Sequence, residues 1–280
     1  MELGSMVGKM SGRLTRIGFA ALLLAAAGAC AGMPDEGNDR EARIEANDPL
    51  EPFNRAMFSF NRSLDAYLLK PVAEGYVAVI PRPARTGIRN ALDNLNAPIV
   101  FMNDLLQGEL ERAVVTLTRF AFNSTLGMGG LVDFMAEGGM EGHSEDFGQT
   151  LAVWGVPEGP YLVLPLLGPR PPRDLAGFAV DSVADPFNRY MRGQDHGEAV
   201  YARTGIDMID QRSRVLGKFE ELERTSLDFY SAVRSSYRQR REIAINNGQA
   251  DPQTDLYNLP PLDDPAADGD ASSKKGSNAE

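Results

Sequence analysis

One cysteine and two histidines in 280 residues exclude several kinds of chemistry at the outset. With Cys30 alone there is no disulfide within the chain, so the fold rests on non-covalent packing. A zinc centre built from His and Cys needs more ligands than Cys30, His143 and His196 supply. There is no Gly-x-x-x-x-Gly-Lys-Ser/Thr loop, and Gly127-Met128-Gly129-Gly130 departs from dinucleotide-binding spacing. No basic stripe interleaved with aromatics is present, which argues against nucleic acid as a partner. Nor is there an unbroken run of the roughly 20 apolar residues that span a bilayer.

What is present is unevenly distributed. The net charge is −11. The first 29 residues contribute +2, while residues 31–52 and 247–280 contribute −5 each, leaving −3 for residues 53–246. A basic segment with Lys9, Arg13 and Arg16 precedes the apolar run Ile17–Ala27 and the small residues Gly28 and Ala29. Then comes Cys30. That order describes a secretory signal peptide over 1–29 ending at a cysteine, the pattern of a bacterial lipoprotein whose first mature residue is acylated. Each acyl CH₂ buried in a bilayer contributes roughly 0.8 kcal/mol. Residues 30–47 read as a flexible acidic tether and 247–280 as a disordered acidic tail.

The body, 48–246, reads as all-α. Asp48-Pro49-Leu50-Glu51 is a helix start, followed by Phe53, Met57, Phe60 and Leu64 at helical spacing. Lys70-Pro71 is expected to break that helix. Helices are expected over Pro83–Leu95, Pro98–Leu106, Glu109–Asn123 and Pro172–Asn188, and over Thr204–Asn246 as one long helix or two with a bend. In Glu109–Asn123 the apolar arc of Leu110, Val114, Leu117 and Ala121 is extended by Val115, Thr118 and Phe122. So wide an arc belongs either in the centre of a core or against lipid. Leu126–Met135 and Thr150–Gly168 are apolar but broken by glycine and proline, so neither is a spanning helix. Within the latter, Tyr161–Leu164 fits a short isolated strand between two prolines.

Little in the body suggests catalysis. Gly142-His143-Ser144-Glu145 sets Ser144 beside His143, but it is no nucleophile elbow, and a periplasmic hydrolase is the least favoured reading. Glu145-Asp146 reads as a pair of loop charges.

Four stretches carry a resemblance. They are Asp48-Pro49-Leu50-Glu51-x-Phe53-Asn54-Arg55; Thr118-Arg119-Phe120-x-x-Asn123-Ser124-Thr125-Leu126-Gly127-Met128-Gly129-Gly130-Leu131-x-Asp133; Asp146-Phe147-Gly148-Gln149-Thr150-Leu151 with Trp154-Gly155-Val156; and Gly159-Pro160-Tyr161-x-Val163-Leu164-Pro165 with Gly168-Pro169 and Arg173-Asp174. From about Asp48 to Asn246 the chain resembles the VacJ/MlaA family of outer-membrane lipoproteins. The resemblance implies helices arranged as a ring in the inner leaflet of the outer membrane, on its periplasmic face, around a central amphipathic channel. It implies a non-enzymatic role without a cofactor beyond the lipid on Cys30: removing mislocalised phospholipids from the outer leaflet and passing them to a periplasmic phospholipid carrier, in association with a trimeric porin. The alternative is a lipoprotein scaffold or porin-binding protein without a lipid channel of its own. On the first reading Asn123, Ser124, Thr125, Gly127, Gly129, Gly130, Asp133 and Gln149 are candidates for the lipid path.

Overall fold

The structure, a computed structural model, describes residues 47–248. The signal segment, Cys30, the tether and the tail beyond residue 248 lie outside the described residues. The chain divides into two compact units, one containing 47–62 and 159–172 and the other 63–158 and 173–248 of the described residues.

In the first unit, helix α1 (Glu51–Leu64) starts just after Asp48, whose carbonyl accepts from the Glu51 N–H. Asn54 and Asn61, two turns apart, share one face of it. Both reach backbone far along the chain, Asn54 a strand and Asn61 the turn that follows it. Asn54 Nδ2 donates to the Tyr161 carbonyl at 2.9 Å, and its Oδ1 accepts from the Val163 N–H at 2.8 Å. Asn61 treats the Leu164 carbonyl and Leu166 N–H in the same way. The segment so held is a minimal antiparallel hairpin, β1 (Val163–Leu164) against β2 (Gly168–Pro169), with Val163 opposite Pro169. This is the short strand expected within Tyr161–Leu164.

The second unit is helical. Lys70-Pro71 is not a break. Proline brings no N–H to the ladder, and the chain passes it through a wide π-type turn, Asp65–Leu69, in which the Lys70 N–H reaches the Asp65 carbonyl. Helix α2 (Lys70–Val79) follows directly. The two helices expected on either side of Pro98 are one, α3 (Arg82–Gln107). Pro98 removes a single ladder bond, and the buried Ile99 and Val100 beside it anchor the helix across the gap. Gly108, in the left-handed region at φ 82°, ends α3 and starts α4 (Leu110–Thr125), which packs along α3. A tight turn at 126–131 leads to α5 (Phe134–Glu137), capped by Asp133, and then α6 (Phe147–Val153), capped by Asp146. The helix expected over Pro172–Asn188 is two, α7 (Pro172–Ala184) and α8 (Pro186–Gly193), because the Asp185 carboxylate accepts from the Phe187 and Asn188 N–H groups and starts a new helix. Thr204–Asn246 holds three helical pieces: the end of α9 (Gly197–Arg214), α10 (Lys218–Thr225) and α11 (Phe229–Ile245). Gly217 at φ 84° makes the first break, and the Asp228 cap makes the second.

Burial runs against the usual rule. Sixteen polar or charged side chains are buried among the described residues, against eight apolar ones, while thirty large apolar side chains are exposed. In α4 the arc of Leu110, Val114 and Leu117 is 50–65% exposed, whereas Ala113, Thr116 and Asn123 are buried. In α7 Phe178, Val180 and Val183 face outward, and Arg173, Asp174 and Gly177 are covered. Of the two readings of the wide apolar arc, the fold takes the outward one. Full burial of one such side chain is worth about 1.5–3 kcal/mol. Thirty partly exposed ones in water therefore represent tens of kcal/mol. No helix among the described residues is long and apolar enough to cross a membrane.

Candidate functional site

The polar faces of three helices meet in the second unit. Asn90, Asp93, Asn94 and Ala97 follow one another at i, i+3, i+4 and i+7 on α3. Thr116, Arg119, Phe120 and Asn123 repeat that spacing on α4, and α9 contributes Arg203, Asp207, Gln211 and Arg214. Together with Asp133 and the Gly142–Ser144 loop they line a cavity of about 640 Å³. On α4 the lining residues and the exposed Leu110, Val114 and Leu117 occupy different faces of the same helix, so the wall is wet on one side and apolar on the other.

Most charges in the wall are tied down. Asp133 accepts from Arg119 Nη2 at 2.5 Å and Asn123 Nδ2 at 2.9 Å, and it also caps α5. Burial alone would raise its pKa; the bonds from Asn123 and Arg119 outweigh that and hold the carboxyl below its ordinary range. Arg203 pairs with Asp185 at 2.6 Å, and Arg214 with Asp210 at 3.3 Å. Asp210, almost fully buried, also faces Arg89 at 3.4 Å. Among the described residues Asp207 accepts only from its own helix neighbour, Gln211 Nε2, at 2.8 Å.

Beside the cavity lies a denser cluster. His143 Nε2 is 2.9 Å from Asp104 Oδ1 and 3.3 Å from Thr116 Oγ1, whose hydroxyl donates to Asp104 Oδ2 at 2.7 Å. Glu145 accepts from Arg112 at 2.6 Å and from Gln107 at 2.9 Å. Ligand-type atoms of Asp104, His143 and Glu145 fall within 4.8 Å of one another, but the donors of Arg112, Gln107 and Thr116 occupy the carboxylates, which makes this an ion-pair and hydrogen-bond network. Desolvation pushes the Glu145 carboxyl up despite those bonds. The His143 ring thus faces an aspartate and a threonine in a network that holds the 142–145 loop against α3 and α4.

A model of the MlaA lipoprotein family matches residues 46–244. The chain belongs to the MlaA lipoprotein family. It is 37% identical over 226 residues to the intermembrane phospholipid transport system lipoprotein MlaA of Escherichia coli, covering 79% of this chain and 86% of that one. To the protein of the same name from Haemophilus influenzae it is 35% identical over 217 residues, with 76% and 84% covered. It is also similar to a solved structure from work on the structural basis for maintenance of bacterial outer membrane lipid asymmetry, with a TM-score of 0.64 and 37% identity over 71% of this chain and 99% of that chain.

Within this member of the family the residues singled out from sequence separate into three groups. Asn123 and Asp133 line the cavity. Ser124, Gly127, Gly129 and Gly130 lie in or beside the turn that backs it. Ser124 Oγ accepts from the cavity residue Asn94 at 2.9 Å, and the Gly130 N–H donates to the Asn123 carbonyl at 2.8 Å. A side chain at Gly130 (φ 92°) would start 2.6 Å from Asn94 Cβ, and one at Gly127 would start 2.2 Å from the Val132 carbonyl oxygen. These two glycines therefore set how closely the turn approaches the wall. Thr125 and Gln149 lie elsewhere. Thr125 bonds back to the Ala121 carbonyl on the exposed face of α4. Gln149 is buried in α6, where its N–H donates to Asp146 Oδ1 at 3.0 Å. Sequence reasoning missed Asp93, Asn94, Arg203, Asp207 and Arg214. The available signal was the polar i, i+3, i+4, i+7 spacing on α3, repeated on α4.

Proposed function

We propose that this protein is an outer-membrane lipoprotein that moves mislocalised phospholipid from the outer leaflet through the cavity of its second unit toward a periplasmic carrier protein, keeping the two leaflets different. The observation that carries this reading is a polar, charge-lined cavity in a unit that exposes many large apolar side chains, among them those on the outer face of α4. A phospholipid has a charged head and two hydrocarbon tails. Its head needs a wet path, and hydrocarbon can cover the exposed Leu, Val and Phe side chains around that path. Among the described residues no helix is long and apolar enough to span; on this reading the helices lie in one leaflet as a ring around the cavity, an arrangement that serves both needs. Acyl chains on Cys30 hold the chain at the inner leaflet of the outer membrane, and a trimeric porin is the partner that steadies it there. The similarity to intermembrane phospholipid transport lipoproteins supports the same conclusion.

Passing a lipid through a cavity breaks no covalent bond, so no catalytic residue is assigned. The hydrolase reading finds no support in His143, whose Nε2 faces Asp104 and Thr116.

The test is to fill the cavity while keeping the outer faces. In a strain lacking the gene, the full chain carrying Ala97→Trp is expected to fractionate with the outer membrane and fold normally. It should nevertheless leave phospholipid in the outer leaflet and the cells sensitive to detergent, unlike the unaltered chain. If the filled variant clears the leaflet as well as the unaltered chain, the protein acts as a scaffold and the reading fails.

A further inference from the structure

The charges in the cavity wall do not balance locally. Arg119 has Asp133 and Arg203 has Asp185 at ion-pair distance. Asp93 and Asp207 have no such counterpart: Asp207 accepts only from the neutral Gln211 amide, and Asp93 forms neither a hydrogen bond nor an ion pair among the described residues. The two carboxylates repel one another across the α3–α9 junction, and Asp210 adds to the repulsion. Arg214 and Arg89 attract Asp93, yet desolvation and the like charges prevail, and its carboxyl titrates above the ordinary range. The site thus carries two carboxylates that no cation meets at ion-pair distance among the described residues. Next to it, Arg214 engages Asp210 through Nε, and its terminal nitrogens donate no hydrogen bond among the described residues.

From this juxtaposition we propose that Asp93 and Asp207 form an ammonium-binding pole beside the Arg214 guanidinium, so that the cavity prefers zwitterionic headgroups with a cationic nitrogen next to the phosphate over anionic headgroups. The proposal rests on the reading of the cavity as a lipid path. A phosphate near Arg214 places the ammonium of an ethanolamine head, one short carbon link away, within reach of the paired carboxylates. A glycerol head brings no cation there and leaves the two aspartates repelling one another. Asp133 cannot supply this selectivity, because Arg119 and Asn123 already occupy it.

The experiment uses the full-length chain purified in detergent and equilibrated with vesicles containing equal amounts of phosphatidylethanolamine and phosphatidylglycerol. The bound lipids are then identified by mass spectrometry. The unaltered chain is expected to enrich phosphatidylethanolamine about three- to fivefold over phosphatidylglycerol, the size that one partly solvated ion pair confers. The double variant Asp93→Asn with Asp207→Asn is expected to bring that ratio to the one supplied. Asp93→Arg, a second and independent change at an unpartnered position, should invert it. An enrichment that persists through both sets of variants overturns the selectivity proposal and leaves the lipid path standing. An unaltered chain that retains no phospholipid of either kind overturns both.

Discussion

At Arg241 the guanidinium meets Asp146 through Nη1 and Nη2 at 2.5 and 2.7 Å and Asp174 at 2.9 Å, and the Tyr237 hydroxyl closes the remaining side of Asp174. At Asp93, on the cavity wall, a carboxylate stands with no donor among the described residues. Both sites belong to the second unit, but Arg241 and Asp174 are largely covered whereas Asp93 is exposed on the cavity wall. The first ties the last helix, α11, to α6 and α7 through ion pairs and hydrogen bonds. There the Asp146 carboxyl is held low: burial alone would raise it, but the Arg241 bonds prevail. The second carries a carboxyl pushed up by desolvation and by other carboxylates. Closed networks hold helices together, whereas an open carboxylate lowers stability and can still be kept for what it binds.

That contrast can be broken in a graded way. Arg241→Met keeps the packed stem but removes the cation shared by Asp146 and Asp174, the latter 4% exposed and left with Arg173 and Tyr237; removing one partner of a buried charge network costs about 3–5 kcal/mol. Denaturant unfolding of the full chain in detergent, followed by helical signal, should register that loss. Arg119→Met is an intermediate case. Asp133 keeps its bonds from Asn123 and the Ala136 N–H, so a drop of about 1–3 kcal/mol is expected in the same assay. Asp93→Asn is the opposite extreme, with a change within about 0.5 kcal/mol in a cavity that solvent reaches and screens. Its sign follows from the raised carboxyl. The unfolded chain gives up this proton first, so the folded unaltered protein loses stability as pH climbs from the ordinary value through the raised one. The Asn variant should lack that component of the slope and equal or exceed the unaltered chain at pH 7. A large destabilisation by Asp93→Asn would place this residue with the closed networks.

How much of this could be read from the residues differs from element to element. The helical class and the short strand within Tyr161–Leu164 were legible because Gly, Pro and helix-period apolar residues act locally, whereas its pairing with Gly168–Pro169 was not. The apolar arc of α4 was legible as an arc but not as a direction. Leu110, Val114 and Leu117 repeat identically whether they face a core or lipid, and only the opposite face, with Thr116 and Asn123 covered by other elements, decides. Proline was overread. Pro71 was absorbed by a π-type turn, and Pro98 sits inside α3 because neighbouring packing outweighs one missing hydrogen bond. The Asp185 and Asp228 caps were written in the sequence as Asp before Pro-Phe and before Phe-Tyr, but apolar periodicity masked them. The candidate site was half visible. Asn123 and Asp133 belong to a glycine-marked stretch, whereas Asp93 and Asp207 are brought together only by the packing of α9 on α3.

The two asparagines of α1 have a consequence beyond their four hydrogen bonds. By offering an amide donor and an amide acceptor at each of two turns, a helix stands in for a third strand and closes the outer edge of the hairpin. Open strand edges recruit other chains. A protein that exposes thirty large apolar side chains before it meets lipid is one in which a single sticky edge would be most costly, and here Asn54 and Asn61 cover it.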